Sequence, residues 1–571
     1  MKLLPKVKEL HISKGYLAKK ELCPASENLD NRLVKILDRL RISEEGTPLS
    51  FEFSGVSGEG YELTVTENAI KVQAEGPAGA FYAIQTLRQI FMEEQVPCLH
   101  IKDKPDFKYR GFYQDVTRGK IPTVDTIKKL IDTMAYYKLN SLQLYVEHVF
   151  EFEESKSLWE SAGYLTGEEL REIGEYCKEN FIEFIPSLST FGHMCELLNQ
   201  PQYRNLRVLK DYKDSVNFWW DRMAHHTIDP LQKESFELVK SLINQFAPHF
   251  ESDVFNICCD ETFDLTKYQA EGHDVGKLYL DFTKKIIGHV QSLGKKVMMW
   301  GDVLLENPEI ITEFPEDVMF LNWYYDADVK EMEAKIAKFA SLNRRQIVCP
   351  GTNAWNRFCE RVDVEEINIG KMIELGHKYG ADGVLNTNWG DWGNPESLEL
   401  CMYGLVLGAE KSWSADTKVN EEFYEAVIAL LFGSISGMET LKKISSLNEK
   451  ITWWDVCCNY FKHRYATGES LDLPSKEQVE AVQKEYLEIQ KMLKGETWSA
   501  AGSKEYREEM LLAAEGICLM AELSGKLAGY EINRIVNTAE WLKNYSTMWL
   551  KKNKASELRK IQELFTYYES V

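Results

Sequence analysis

Between residues 107 and 391 one pattern recurs: a short unbroken apolar run, a polar break, then a longer stretch in which apolar residues return every three or four positions. Unbroken runs are strands buried on both faces and the longer spacing is an amphipathic helix, so each pair reads as a β/α unit. Eight runs occur, at 112–117, 141–147, 182–188, 254–261, 296–302, 318–326, 346–351 and 383–391. The segments TVDTIKKLIDTMAYYKL, with Thr123 as its cap, and GEELREIGEYCKENF are helices between them. Eight units in about 300 residues predict an α/β fold, a (β/α)8 TIM barrel, over 105–412. An open doubly wound sheet would have fewer strands and a glycine fingerprint that this chain lacks.

The flanks have other textures. YELTV at 61–65 and AIKVQA at 69–74 alternate with period two around Glu67-Asn68, a hairpin, and AFYAIQTLRQIF puts Phe81, Ile84, Leu87, Ile90 and Phe91 on one helical face. Residues 1–104 are thus expected to form a small α+β domain. From 413 to 571 the chain is helical, with Val479, Val482, Tyr486 and Ile489 on one apolar face. Such a tail packs on the barrel or on a second copy, which is compatible with a homodimer.

Composition narrows the classes. The 571 residues hold 67 Lys+Arg against 89 Asp+Glu, net −22, a field that repels nucleic acid and anionic lipid. Pro5, Lys6, Lys8 and Glu9 interrupt any leader-like core and no later segment is a membrane span, so the expectation is a cytoplasmic protein without a membrane partner. The 12 cysteines form no CxxC and the 11 histidines no HExxH, which predicts reduced thiols, no metal and no cofactor.

Polar and aromatic residues gather at the carboxyl ends of the runs: Glu147-His148, His193, Asp260-Glu261, Trp300, Trp323-Tyr324, Trp389 and Asp391. In a barrel these ends meet at one mouth, where active sites are built. Two close carboxylates push each other's proton affinities apart, which suits an acid and a charged partner. Indole faces stack on the apolar faces of sugar rings, so Trp300, Trp323, Trp355 and Trp389 beside Asp260 and Glu261 point to a carbohydrate.

These residues carry a resemblance. EGYELTV and GAFYAIQTL, then Arg110-Gly111 with Asp115 and Arg118, Phe191-Gly192-His193, Asp260-Glu261 and Trp389-Gly390-Asp391 resemble, in this order, the glycoside hydrolase family 20 β-N-acetylhexosaminidases, and the helical tail is similar to that of the smaller bacterial members. The resemblance implies an exo-acting retaining hydrolase of terminal β-linked N-acetylglucosamine or N-acetylgalactosamine, in which the substrate's 2-acetamido group is the nucleophile and an oxazolinium forms. It implies Glu261 as acid/base, Asp260 as the carboxylate orienting the acetamide, and Arg110 as ligand of the sugar 3- and 4-hydroxyls, the alternative for Arg110 being a structural ion pair under the first strand. His193 and Glu147 are implied to support the acid, and Trp300, Trp323 and Trp389 to wall the acetamide and ring.

Three positions depart from the family pattern. Asp391 stands where many members have Glu, and Glu147 where Asp is common. The seventh run, Gly351-Thr352-Asn353-Ala354-Trp355, lacks the tyrosine that binds the acetamide oxygen; Tyr324 or Tyr325, with Asp326, supplies it from the sixth run, or Asn353 replaces it. Two other readings stay open: a barrel glycosidase using two separated carboxylates, and a non-catalytic sugar-binding barrel.

Overall fold

The computed structural model describes residues 1–24, 29–55, 57–158, 163–495 and 503–571. Six strands, β1 (Glu9–Tyr16), β2 (Leu22–Pro24), β3 (Thr47–Phe53), β4 (Tyr61–Val65), β5 (Ile70–Ala74) and β6 (Pro97–Asp103), make a mixed sheet in the order β1-β6-β4-β5-β3-β2. The hairpin predicted from period-two alternation is β4 and β5, antiparallel with Leu63 opposite Val72. The helix Pro77–Ile90 buries Phe81, Ile84, Leu87 and Ile90 against this sheet.

Eight parallel strands then close a barrel: β7 (Tyr109–Asp115), β8 (Ser141–Val146), β9 (Glu183–Leu188), β10 (Val254–Asn256), β11 (Lys296–Trp300), β12 (Met319–Trp323), β13 (Gln346–Cys349) and β14 (Gly383–Asn388). Closure is made by β14 on β7, from Gly383 beside Tyr109 to Asn388 beside Gln114. Each strand falls within or beside one of the eight apolar runs, because strands buried on both faces must be apolar along their length. Tyr113, Tyr145, Ile185, Met298, Leu321, Ile347 and Leu385 fill the interior, so the barrel is a packed core with its chemistry confined to the rims. Thr123 caps the helix Val124–Tyr136 by accepting the Thr126 N–H.

The sheet domain is clamped to the amino end of the barrel. Lys138 Nζ donates to Asp103 at 3.2 Å, and Asp103 also accepts from Tyr61 and from the Trp413 indole. Beyond Trp413 the regular elements among the described residues are all helices, including Lys476–Gly495, whose Val479, Val482, Tyr486 and Ile489 are buried as the pattern predicts. This helical region packs on loops at the carboxyl ends of the strands: Glu557 N–H donates to the Gly119 carbonyl, Tyr545 to that of Pro395, and Phe358 N–H to Asn448. No helix among the described residues is long and apolar enough to cross a membrane.

Candidate active site

The run 254–261 pairs as a strand only through Asn256. There the Asn256 side chain accepts the Cys258 N–H at 3.0 Å, and Cys258, Cys259 and Glu261 take left-handed φ angles of 55°, 66° and 47°. A left-handed residue breaks the strict alternation of a strand, which lets the adjacent Asp260 and Glu261 both face His193. His193, itself at φ 53°, places Nε2 3.4 Å from Asp260 Oδ2 and 3.1 Å from Glu261 Oε2. Asp260 is nearly enclosed, whereas a quarter of the Glu261 side chain is exposed. Gly192 is required at this point, since a Cβ there would lie 2.3 Å from the Asp260 carbonyl oxygen.

Burial opposes the charged form of His193, but Asp260 and Glu261 outweigh it and push its pKa up to about 10. His193, Asp260 and Glu261 are also the only group of three metal-ligand side chains found close together among the described residues, with ligand atoms within 4.8 Å.

Asp302, one residue beyond the strand that ends at Trp300 and its following glycine, completes the cluster. Its Oδ2 accepts the Glu261 N–H at 2.9 Å, pinning the left-handed backbone of that residue. Burial, then Asp260, raises the Asp302 carboxyl to about 8. Asp302 closes the fifth apolar run, 296–302, yet is not among the residues expected at the mouth; an acid directly after a strand end is the signal that marks it.

Across the mouth stands Arg118. Its Nε donates to Glu147 at 3.1 Å, Nη1 to Asp391 at 3.1 Å and Nη2 to the Tyr145 hydroxyl at 3.3 Å, and it lies 5.3 Å from the Trp389 ring centroid. Burial works against the Glu147 charge, yet His148 and Arg118 bring its pKa down to about 2. Asp391 is raised to about 6, by burial against the pull of Arg118. Glu147 therefore braces Arg118 directly, while its link to His193 is electrostatic.

Arg110 is a correction. It is the second residue of β7, at the opposite end of the barrel, fully buried, with Nη1 2.6 Å and Nη2 3.0 Å from Glu59 and with Nε on the Lys138 carbonyl. It is the structural ion pair of the alternative reading and does not face the mouth. Arg118, eight positions later, follows the run 112–117 at its carboxyl side, whereas Arg110 precedes it; position relative to the strand distinguishes the two arginines.

The aromatic residues divide similarly. Trp300 and Trp389 are buried with ring centroids 5.8 Å apart and close the floor with Tyr113. Trp323 stacks on Tyr325 at 5.0 Å and 18°, and the Trp389 indole donates to the Tyr325 hydroxyl at 2.8 Å. Tyr324 is the second correction: just past the end of β12, where side chains still alternate, it packs in the layer outside the barrel with its hydroxyl on Glu331, while Tyr325 lies with Trp323 on the mouth side. Asn353, at φ 53°, donates to the Gly351 carbonyl and lines the cleft beside Tyr325 and Trp355.

Residues 107–414 match the profile described as glycosyl hydrolase family 20, catalytic domain, and 9–104 the one described as its domain 2. A β-hexosaminidase of Porphyromonas gingivalis is 26% identical over 412 residues, 64% of this chain and 49% of its own length; one of Akkermansia muciniphila is 33% identical over 158 residues, 24% and 32%. The chain thus spans about half the length, or less, of these relatives. A chitobiase structure from Flavobacterium johnsoniae superposes with TM-score 0.63 at 16% identity over 99% of both chains. The exo-β-N-acetylglucosaminidase of Vibrio harveyi, solved with N-acetylglucosamine, gives 0.59 at 18% over 75% of this chain and 76% of its own. At such identities the likeness is one of fold.

Proposed function

The chain belongs to glycosyl hydrolase family 20, and from that premise we propose that it is an exo-acting, retaining β-N-acetylhexosaminidase that uses the substrate's acetamide as nucleophile. The observation that carries the reading is the contact of His193 with two adjacent carboxylates, one enclosed and one open to the cleft. The relatives' names as β-hexosaminidases and the N-acetylglucosamine held by the Vibrio harveyi structure support the same substrate class.

Glu261, the exposed partner, donates its proton to the glycosidic oxygen as the C1–O bond breaks. Asp260, faced by the His193 cation, accepts the acetamide N–H and balances the positive charge that grows as the acetamide oxygen bonds to C1. The product of this step is the bicyclic oxazolinium. Water then attacks C1, Glu261 takes its proton, and the acetamide is restored with β configuration retained. Holding the nucleophile on the reacting ring makes the first step unimolecular, worth up to about 7–11 kcal/mol of barrier. Arg118, braced by Glu147 and Asp391, receives the ring hydroxyls, Tyr325 the acetamide oxygen, and Trp300, Trp323 and Trp389 the apolar faces.

The test is inhibition by N-acetylglucosamine thiazoline, which mimics the oxazolinium and is expected to bind at least about 10²-fold tighter than substrate. Asp260→Asn should lose activity while Glu261 remains. Detection by mass spectrometry of a stable glycosyl ester on Asp260, Glu261 or another acid would overturn the assisted mechanism.

A further inference from the structure

Resting on the proposed activity, we propose that Trp454 of the helical carboxyl-terminal region forms the outer wall of a subsite for the part of the substrate beyond the hydrolysed sugar. A cleft of about 640 Å³ opens beside the mouth between Trp323, Tyr325 and Trp355 on the barrel side and Thr452, Trp454 and Asp455 on the helical side. That volume lies within the range of about 300–1,000 Å³ usual for small-molecule sites. Its inner wall is shared with the mouth, because Tyr325 receives the Trp389 indole N–H and stacks on Trp323. Trp300, Trp389 and Arg118 are buried at the floor of the mouth, so the part of a substrate beyond the hydrolysed sugar would extend outward along the rim.

Trp454 is built as a platform. Trp392 covers part of its ring at a centroid distance of 4.0 Å and 32°, yet 38% of the residue stays exposed. Its position is held from both sides: the neighbouring Trp453 indole donates to the Trp392 carbonyl at 2.7 Å, and Thr452 caps the helix Trp453–Arg464 while donating to Asp455 at 2.6 Å. A rigid, half-exposed indole next to carboxylates is the combination that binds a pyranose, apolar face to ring and hydroxyls to oxygens. Lys335, Arg357 and Arg361 also line the cleft, the two arginines paired with Glu449, so it offers donors as well as acceptors to the hydroxyls of a sugar leaving group.

The experiment compares two substrates, chitotriose and β-N-acetylglucosaminyl fluoride, whose leaving group has no ring. Trp454→Ala should lower kcat/KM on chitotriose roughly 3- to 10-fold, mainly through KM, the size of one aromatic contact. The fluoride should change less than about twofold, and Trp454→Phe should recover much of the loss; with Trp392 packed beneath it, a melting curve for each variant shows that the fold is kept. Equal losses on both substrates, or no loss on chitotriose, would overturn the subsite. Wild-type turnover of neither compound would overturn the proposed activity itself, and the subsite with it.

Discussion

Glu261 and Asp260 differ by one position and by exposure, the proposed acid being the more open of the two. If Glu261 is the acid, Glu261→Gln should cost about 10²–10⁴-fold on sugar leaving groups and far less on activated nitrophenyl substrates, whose oxygen needs little proton. Equal losses across leaving groups would remove it from that role. The two arginines give a second residue-scale contrast. Arg118 makes directed bonds to Glu147, Tyr145 and Asp391 at the mouth, and Lys cannot reproduce its planar fork. Arg118→Lys is expected to reduce kcat/KM at least about 10-fold and, since Arg118 is itself buried against Glu147 and Asp391, to lower the melting temperature as well. Arg110→Lys should lower the melting temperature with little change in kcat/KM, because the fully buried guanidinium's bidentate pair with the quarter-exposed Glu59 is broken at the end of the barrel away from the mouth. Parallel measurement of kinetics and thermal melting separates them.

At the scale of an element, the loop after β10 owes its shape to one side chain outside it. Asp302 holds the Glu261 N–H of a backbone that an L-residue adopts at a cost. Asp302→Ala frees that backbone, and a displacement of the acid by about 1 Å can cost about 10²-fold. Asp302→Asn keeps an acceptor and should retain most of kcat. The pair also differs in pH dependence. Since the folded-state value of Asp302 is raised from 3.8 to about 8, its contribution to stability is complete below about pH 4 and is lost as pH rises through about 8, where a further negative charge appears beside Asp260 and Glu261. Thermal melts between pH 5 and 9 should therefore flatten in Asp302→Asn; an unchanged slope would show that Asp302 is ionised throughout.

On the scale of the whole molecule, the sheet domain and the helical region grip opposite ends of the barrel. The first anchors the amino end through Arg110, Lys138 and Asp103. The second packs on the mouth loops, where Glu557 binds Arg222 at 2.8 Å and Arg222 in turn donates to the Asp391 carbonyl at 3.0 Å. Cutting the chain near residue 412 would expose Trp392, which lies against Trp454, and Phe358, which lies against Trp453 and Trp541, and would leave Arg222 buried without the Glu557 carboxylate. Such a truncation is expected to be insoluble or inactive; a soluble, monomeric, fully active product would show that the helices are dispensable to the site.

The apolar runs and their helical spacers determined the barrel by themselves, because burial on both faces of a strand leaves a mark in every residue of it, and Asp260, Glu261, His193, Trp300 and Trp389 were legible as residues ending or following such runs. Three matters were decided only by the tertiary structure. Arg110 and Arg118 flank one run, 112–117, and which end of the barrel each occupies follows from where β7 begins pairing. Tyr324 and Tyr325 follow the end of one strand, and which of them faces the interior depends on a register that a single-residue shift reverses. Asp302 and Trp454 matter only through what they meet, the Glu261 amide and the cleft beside Trp323, and contacts between positions 41 and 131 residues apart leave no local periodicity in a chain.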